Sequence, residues 1–258
     1  MQKISDAASQ FERRFSPQHV AANTFNDPAD IILFMHIPKT AGMSVGKALQ
    51  NAFDIFHPVS WENTGKSFRQ KTKQALYIRT KEHTGEGPVR QVLMGHFGWG
   101  DVMFWKNHEL PIKCATIIRD PLARFVSNYR YNCSERHPQH EAFKARFPTL
   151  EDYAQQLPND YQLNLMIGPF YSFDDALEKL SRTYSFIGIT EHLGASLDHF
   201  RNSHGLAALP EHRENSGENR SEEIPDSVRN LIAEKSHNDM RLHQLIQGFY
   251  AAPQDIKI

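Results

Sequence analysis

The most informative stretch of the sequence is IILFMHIPKTAGMS, residues 31–44. Its first five residues are a continuous apolar run of strand length, which is typical of a central parallel strand covered on both faces. A helix is predicted to follow from about Met43 to Ala52. Residues 36–44 therefore connect a buried strand to a helix, which is where a doubly wound α/β fold places its ligand crevice.

The composition of this connection favours an anion. It combines the free N–H groups of a helix N-terminus with two hydroxyls, a small Ala-Gly pair and Lys39, which together form a cradle for a phosphate-like group. It is not a Walker A loop, because that motif places two glycines before its Lys. Ordinary ATP or GTP hydrolysis is therefore disfavoured. The alternative, on local chemistry alone, is a plain strand-to-helix turn with a solvated Lys39.

A second strand-turn-helix unit begins further along, where an apolar run ends at Arg119 and the sequence continues RDPLARFVSNYRY. Asp120-Pro121 predicts a helix start with Pro at the first position. Arg119 is then expected at the crevice edge of the sheet. Arg124 and Ser127 share one helix face, where Arg offers a two-pronged donor to phosphate oxygens and Ser adds a hydroxyl. The alternative is that Arg119 pairs with Asp120 or caps the sheet edge.

The remaining pattern predicts one parallel sheet. Further buried strands are expected at residues 92–94, 114–118 and 185–189. Helices are expected to begin at the capping-box residues Thr149 and Ser172 and at Pro225. Strands alternating with helices imply an α/β fold with a central parallel sheet flanked by helices. Weak, polar patterns predict exposed loops and short helices between Phe53 and Gly87 and a long loop over residues 202–224.

The domain organisation is predicted to be simple. Residues 1–28 are polar and end in the turn-like Asn26-Asp27-Pro28, so they are expected to be a loosely packed lead-in. A single domain is expected over residues 29–258, since 258 residues suffice to bury a substantial core.

Composition excludes several classes of partner and site. Lys and Arg total 29 against 30 for Asp and Glu, and a net charge of -1 provides no general field for nucleic acid or an anionic membrane. The two cysteines form no CxxC pair, which excludes a Cys-based zinc site and favours a reducing compartment. No signal peptide or stretch of roughly 18 apolar residues is found, so a cytoplasmic protein without an integral membrane segment is expected.

The ordered pair HIPKTAGMS and IIRDPLARFVSNYRY resembles the nucleotide motifs of the carbohydrate sulfotransferase family that includes the heparan sulfate 2-O- and 6-O-sulfotransferases. The segment FIGITE, residues 186–191, is similar to that family's late strand-to-helix element. The resemblance implies a P-loop-NTPase-like three-layer domain. It also implies that adenosine 3'-phosphate 5'-phosphosulfate (PAPS) donates a sulfuryl group and leaves as adenosine 3',5'-bisphosphate. The proposed reaction requires no metal.

The resemblance also implies which residues hold the donor. Arg119 and Ser127 would bind its 3'-phosphate, and a late loop containing Arg213 and Ser216 would close over the nucleotide. The 5'-phosphosulfate would be held by Lys39, Thr40, Ala41, Gly42, Met43 and Ser44.

His96 is the predicted general base. It lies in VLMGHFGWG, at the end of a predicted buried strand between the two nucleotide motifs, and a neutral imidazole near pH 7 suits proton removal from a hydroxyl. The Gly-His pair is similar to the segment that supplies the base in the 2-O-sulfotransferase branch. The alternative is a His that only hydrogen-bonds at a strand end. Lys39 and His96 are the predicted catalytic residues, Trp99 is a candidate for stacking on a sugar, and His36 is expected to orient or pack.

The expected acceptor is a hydroxyl of a carbohydrate or glycoconjugate. Members of the animal branch work in a secretory lumen, whereas this chain reads as cytosolic and bacterial-like. Acceptors therefore extend to a lipid-linked sugar reached by peripheral membrane contact, a capsule precursor, a glycolipid or a small metabolite.

Two other functions compete with sulfuryl transfer. A kinase-like phosphotransferase would need a carboxylate at a strand end for Mg²⁺, and only Asp120 stands at such a place. A non-catalytic nucleotide-binding protein would not need Lys39, His96 and Arg119 together. A metal site at His137 and His140 is disfavoured, because Pro138 breaks the helical spacing between them.

Overall fold

The computed structural model describes residues 5–25, 27, 31–60, 64–81, 89–107, 112–206 and 224–250. The strands within these residues are β1 (Ile31–Met35), β2 (Ile55–Val59), β3 (Gln91–Gly95), β4 (Ile112–Ile118) and β5 (Tyr184–Ile189). They form one sheet in the order β2-β3-β1-β4-β5, and every neighbouring pair is parallel.

Helices flank the sheet, and a single turn of 3₁₀ helix at Thr190–His192 follows β5. The α-helices in the described part of the chain are α1 (Asp6–Phe15), α2 (Gly42–Ala52), α3 (Thr64–Lys81), α4 (Trp99–Asn107), α5 (Pro121–Cys133), α6 (His140–Arg146), α7 (Leu150–Gln155), α8 (Tyr161–Ile167), α9 (Phe173–Thr183), α10 (Leu193–His204), α11 (Asp226–Lys235) and α12 (His237–Tyr250).

Strand β1 explains the three layers. All five of its residues are buried, because successive side chains of a strand point to opposite faces and both faces are covered. Ile31, Leu33 and Met35 join the core beneath α1, α3, α4, α8, α9 and α12. Ile32 and Phe34 join the core beneath α2 and α10. The predicted three-layer α/β domain with a central parallel sheet flanked by helices is confirmed.

The strand order positions the site. From β1 the chain continues to β2 and β3 on one side of the sheet, whereas β4 and β5 lie on the other side. Since β1 pairs with both β3 and β4, the segments that leave the carboxyl ends of these three strands lie side by side. Open parallel sheets bind their ligands at such a topological switch point.

The N-terminal helix corrects the expectation of a loosely packed lead-in. Ser5 caps α1 by accepting a hydrogen bond from the Ala8 N–H, and Phe11 and Phe15 are 0% and 1% exposed in the core. The two rings are four positions apart and therefore share one helix face. Charged residues on the other face give the segment its polar composition, which hid this packing.

The region from Phe53 to Gly87 was also mispredicted where it is described. Strand β2 lies at the sheet edge, where the missing N–H of Pro58 is tolerated. The 18-residue helix α3 turns Phe68 and Thr72 inward, and the indole N–H of Trp105 donates to the Thr72 hydroxyl at 2.9 Å. A mostly solvated helix produces little apolar periodicity, so the sequence pattern here favours loops and short helices over one long helix.

Other predicted boundaries are confirmed. Helix α5 starts at Pro121 with Asp120 as its N-cap, and α7 and α9 begin after Thr149 and Ser172, each of which accepts a capping hydrogen bond. The helix predicted from Pro225 is two helices, α11 and α12. No helix in the described ranges has the length and hydropathy needed to span a bilayer.

Candidate active site

The connection between β1 and α2 has an unusual backbone. Lys39 and Ala41 both have positive φ, at 73° and 58°, in the left-handed region that favours glycine. The buried Thr40 between them donates its hydroxyl to the carbonyl of Ile37 at 2.8 Å. This alternation of left-handed residues carries the chain from the strand end into the first turn of α2.

The start of α2 is suited to an anion. Its N-cap, Ala41, makes no side-chain hydrogen bond to the helix, and the first turn contains no acidic residue. The first-turn N–H groups therefore lack a side-chain cap, and the helix dipole favours negative charge there. The Met43 side chain is 88% exposed, so the contribution expected of Met43 is its backbone N–H.

Gly42 allows the two halves of this connection to approach closely. A Cβ placed on Gly42 would lie 1.9 Å from Nε2 of His36, a separation that no real side chain tolerates. The His36 imidazole thus lies directly against the backbone at the start of α2. Glycine is required here by contact with His36, and its φ is not in the left-handed region.

The two sequence motifs, HIPKTAGMS and IIRDPLARFVSNYRY, meet through Lys39 and Arg119. The Arg119 guanidinium donates to the Lys39 carbonyl at 3.2 Å. Burial lowers the pKa of Lys39, and the neighbouring positive charges of Arg119 and Arg136 lower it further. The Lys39 ammonium lies 4.1 Å from the centre of the Tyr131 ring, within cation–π range. The site therefore gathers positive charge without a paired carboxylate among these residues.

Helix α5 orients the second motif. The Asp120 side chain accepts the Ala123 N–H at 2.7 Å, and Ser127 lies half-buried further along the helix. Arg124, in contrast, is 4% exposed and stacks on the ring of Tyr161 at 4.2 Å. Arg124 therefore packs into the protein, which corrects the expectation that it presents a fork to a phosphate on the same face as Ser127. Arg119 is the partly exposed cation of this motif.

His96 follows β3 and stacks on His36, with ring centres 4.3 Å apart and planes inclined by 35°. Burial lowers the pKa of His96, although a hydrogen bond with the His36 backbone opposes the shift. Burial also lowers the pKa of His36 to about 4, helped by the charges of His96 and Lys39. Both imidazoles are therefore neutral near pH 7, and a neutral imidazole is a proton acceptor.

Trp99, the candidate for sugar stacking, begins α4 and is partly buried. A Cβ on Gly168, which has a φ of 65°, would lie 2.4 Å from the indole Cδ1. The indole therefore packs on the backbone at the end of α8, and this contact anchors the segment beyond the helix. Tyr131, beside Lys39 and 39% exposed, is a more accessible aromatic surface.

The structure brings together most of the residues that the sequence singled out. These residues follow three adjacent strands: residues 39–44 come after β1, His96 after β3 and Arg119 after β4. Ser127 lies on α5, the helix that follows Arg119. Arg213 and Ser216 lie outside the described residues.

Sequence reasoning missed Tyr131, although it stands inside the quoted motif. Its aromatic character within a basic motif was the available signal.

Comparison with known proteins gives a match to the family model described as "Sulfotransferase family", over residues 22–251. No curated protein matches the sequence. Among solved structures, mouse sulfotransferase SULT7A1 complexed with PAP is similar, at 15% identity over 89% of this chain and 92% of that chain, with a TM-score of 0.48. Retinol dehydratase in complex with androsterone and inactive cofactor PAP matches at 10% identity over 99% and 96%, with a TM-score of 0.27.

Proposed function

This chain belongs to the sulfotransferase family, and from that premise we propose that it sulfates a carbohydrate hydroxyl with His96 as the general base. As a PAPS-dependent O-sulfotransferase it uses a donor that supplies the sulfuryl group and leaves as adenosine 3',5'-bisphosphate. The observation that carries the proposal is the placement of three groups after the carboxyl ends of three adjacent strands. They are the neutral imidazole of His96, the ammonium of Lys39 and the guanidinium of Arg119.

Two separate anion sites support the proposed binding mode. The uncapped start of α2, with Thr40, Ala41, Gly42, Met43 and Ser44, offers N–H and hydroxyl donors to the 5'-phosphosulfate. Arg119 and Ser127 would hold the 3'-phosphate, and Lys39 would reach the transferring group. We further propose that Arg213 and Ser216 belong to a loop that covers the nucleotide.

The proposed chemistry is an in-line transfer. The acceptor oxygen forms a bond to sulfur while the bond from sulfur to the bridging phosphate oxygen breaks. His96 takes the proton of the acceptor hydroxyl, which its neutral state permits. The Lys39 ammonium stabilises the charge that develops on the departing oxygen, and the positive groups around it stabilise the equatorial oxygens.

A carbohydrate or glycoconjugate acceptor, including a lipid-linked sugar, is supported by the resemblance of both motifs to the carbohydrate-specific branch. The partly exposed Tyr131 ring beside Lys39 adds a surface on which the apolar face of a sugar can stack. A screen of simple and complex sugars with PAPS labelled in its sulfuryl group tests this part of the proposal. Transfer confined to phenols or amines would contradict it.

The donor site is tested by calorimetric titration with adenosine 3',5'-bisphosphate, AMP and ATP without magnesium. Removal of the 3'-phosphate should weaken binding by more than about tenfold, because a charge-assisted hydrogen bond contributes about 1.5 to 3 kcal/mol. Equal or tighter binding of ATP would contradict the proposed site.

The role of His96 is tested by His96→Ala. The variant should bind adenosine 3',5'-bisphosphate as the wild type does, whereas sulfuryl transfer should slow by about 10²- to 10⁴-fold, the usual contribution of a general base. A variant that retains the wild-type rate would show that another group accepts the proton. Loss of transfer with intact binding would also separate catalysis from mere nucleotide binding.

A further inference from the structure

Side chains from distant parts of the sequence hold the turn between β4 and α5. The side-chain amide of Gln162 accepts the Arg119 N–H at 3.1 Å and donates to the Arg119 carbonyl at 2.9 Å. The carboxylate of Glu191 accepts the N–H of Asp120 at 2.9 Å. These backbone groups lie beyond the sheet ladder and before the helix, where regular secondary structure provides no hydrogen-bond partner. The two side chains provide those partners.

Helix α12 contacts both Gln162, at its backbone, and Glu191, at its side chain. The Asp239 carboxylate accepts the backbone N–H groups of Gln162 and Leu163 at 2.9 and 2.8 Å. His243 lies 3.0 Å from the second carboxylate oxygen of Glu191. Asp239 and His243 are four positions apart and therefore share one face of α12, where they are only 2% and 5% exposed. One buried helix face thus supports two consecutive residues of the turn.

The electrostatics agree with this support. Burial raises the pKa of Asp239 to about 7, and the two N–H groups and Arg124 oppose that shift. Burial also raises the pKa of Glu191, but the bonds from His243 and Asp120 outweigh it and leave a lowered value. At both residues the contacts that orient the carboxylate favour its charged form, but only at Glu191 do they outweigh the effect of burial on the pKa.

We propose that Gln162 and Glu191 are positioning residues for recognition of the donor's 3'-phosphate, with α12 as their common anchor. The inference rests on the proposed role of Arg119. The guanidinium of Arg119 also donates to the carbonyl of Lys39, so this residue is fixed both at its backbone and at its side-chain end. A shift of the turn would move the two donor-binding segments relative to each other, and bidentate recognition of phosphate tolerates little misplacement.

The experiment compares Gln162→Met with a matched control, Gln91→Met. Both glutamines are 1% exposed, and the Gln91 amide likewise makes two buried contacts, with His57 Nε2 at 3.0 Å and the Ala75 carbonyl at 3.1 Å. Gln91 begins β3, at the end of the sheet opposite the site. Each variant therefore loses a comparable pair of hydrogen bonds, but only one of them loses the support of Arg119.

The measured quantity is the ratio of the dissociation constants of AMP and adenosine 3',5'-bisphosphate, together with kcat and KM for PAPS. Gln162→Met should reduce the wild-type ratio by about tenfold and raise KM more than it lowers kcat, since the lost contact is one of binding. Gln91→Met should lower thermal stability and leave the ratio at the wild-type value. An unchanged ratio in Gln162→Met, or an equal loss in both variants, would overturn the inference.

A second variant serves if Gln162→Met does not fold. Glu191→Gln keeps an oxygen for the Asp120 N–H and loses the carboxylate that faces His243, and its side chain is 28% exposed. The ratio should fall by about threefold, in keeping with a weakened charge-assisted bond, and an unchanged ratio would again overturn the inference. A wild-type protein that does not prefer the bisphosphate would instead refute the proposed 3'-phosphate site, and this inference with it.

Discussion

The Lys39 ammonium lies 4.1 Å above the ring of Tyr131, which in turn meets His137 edge-on at a centroid distance of 5.7 Å. The proposed catalytic cation is thus held by a ring from the end of α5, the helix that begins at the second motif. A π face attracts a cation without neutralising it, so this contact orients Lys39 and keeps its charge available for the transferring group.

Tyr131→Leu should therefore impair transfer, whereas Tyr131→Phe should not. Loss of a cation–π contact worth about 0.5 to 2 kcal/mol predicts a fall in kcat of about 2- to 30-fold for the Leu variant. Because the ring is 39% exposed, the free energy of unfolding of both variants should lie within about 0.5 kcal/mol of the wild-type value. Steady-state kinetics with PAPS and thermal denaturation check this. Equal rates in the two variants would show that the ring does not orient Lys39.

The pH dependence of transfer should reflect a buried base. His96 must be neutral to accept a proton, and burial lowers its pKa from the ordinary value of 6.5. As the pH falls, kcat/KM should therefore decline with its half-maximal point below pH 6.5, where His96 becomes protonated. A profile recorded from about pH 5 to about pH 8 tests this, with the residual activity of His96→Ala as the control. A half-maximal point at or above pH 6.5 would contradict the assignment.

Gly42→Ala should displace the His36 imidazole. The added methyl group would meet Nε2 at 1.9 Å, and the ring that must move also stacks on His96. Overpacking of this kind costs about 1 to 3 kcal/mol of folding stability, and the disturbed base should lower kcat by about tenfold or more. The double variant Gly42→Ala with His36→Ala should regain stability relative to Gly42→Ala. Additive losses, measured by denaturant unfolding, would refute the steric account.

Phe11→Ala should show that the N-terminal helix belongs to the core. The ring is fully buried and lies 4.5 Å from that of Phe15 and 6.2 Å from that of Phe249 on α12. Truncation of a buried Phe costs about 3 to 5 kcal/mol, so the free energy of unfolding should fall by that amount. Gln18→Ala, at an exposed position just beyond α1, is the control and should change stability by less than about 0.5 kcal/mol. Similar stabilities would mean that α1 contributes little to folding.

The sequence was sufficient for features whose physical cause is local. The run from Ile31 to Met35 predicted β1 because a strand covered on both faces needs an apolar residue at every position. Asp120-Pro121 predicted the start of α5. An Asp N-cap accepts a hydrogen bond from one free N–H of the first turn, and a proline at the first position has no N–H to satisfy. The chemistry of the connection after β1 was likewise readable from its residue types.

Other features depend on contacts that no local pattern reveals. The role of Gln162 arises from the backbone of Arg119, 43 positions away, and from Asp239, 77 positions away in the other direction. Strand β2 escaped notice because an edge strand containing Pro58 lacks a fully apolar run. The inward turn of Arg124 required knowledge of Tyr161, which comes from α8.

The two left-handed residues Lys39 and Ala41 bear on how tightly the loop can grip its ligand. An L-residue other than glycine gives up about 1 to 2 kcal/mol in that backbone conformation, and the surrounding sheet and helix enforce it twice within three positions. The surrounding structure therefore fixes this loop conformation before an anion binds. The proposed donor site is therefore preorganised, and little of the binding free energy would be consumed in conformational ordering.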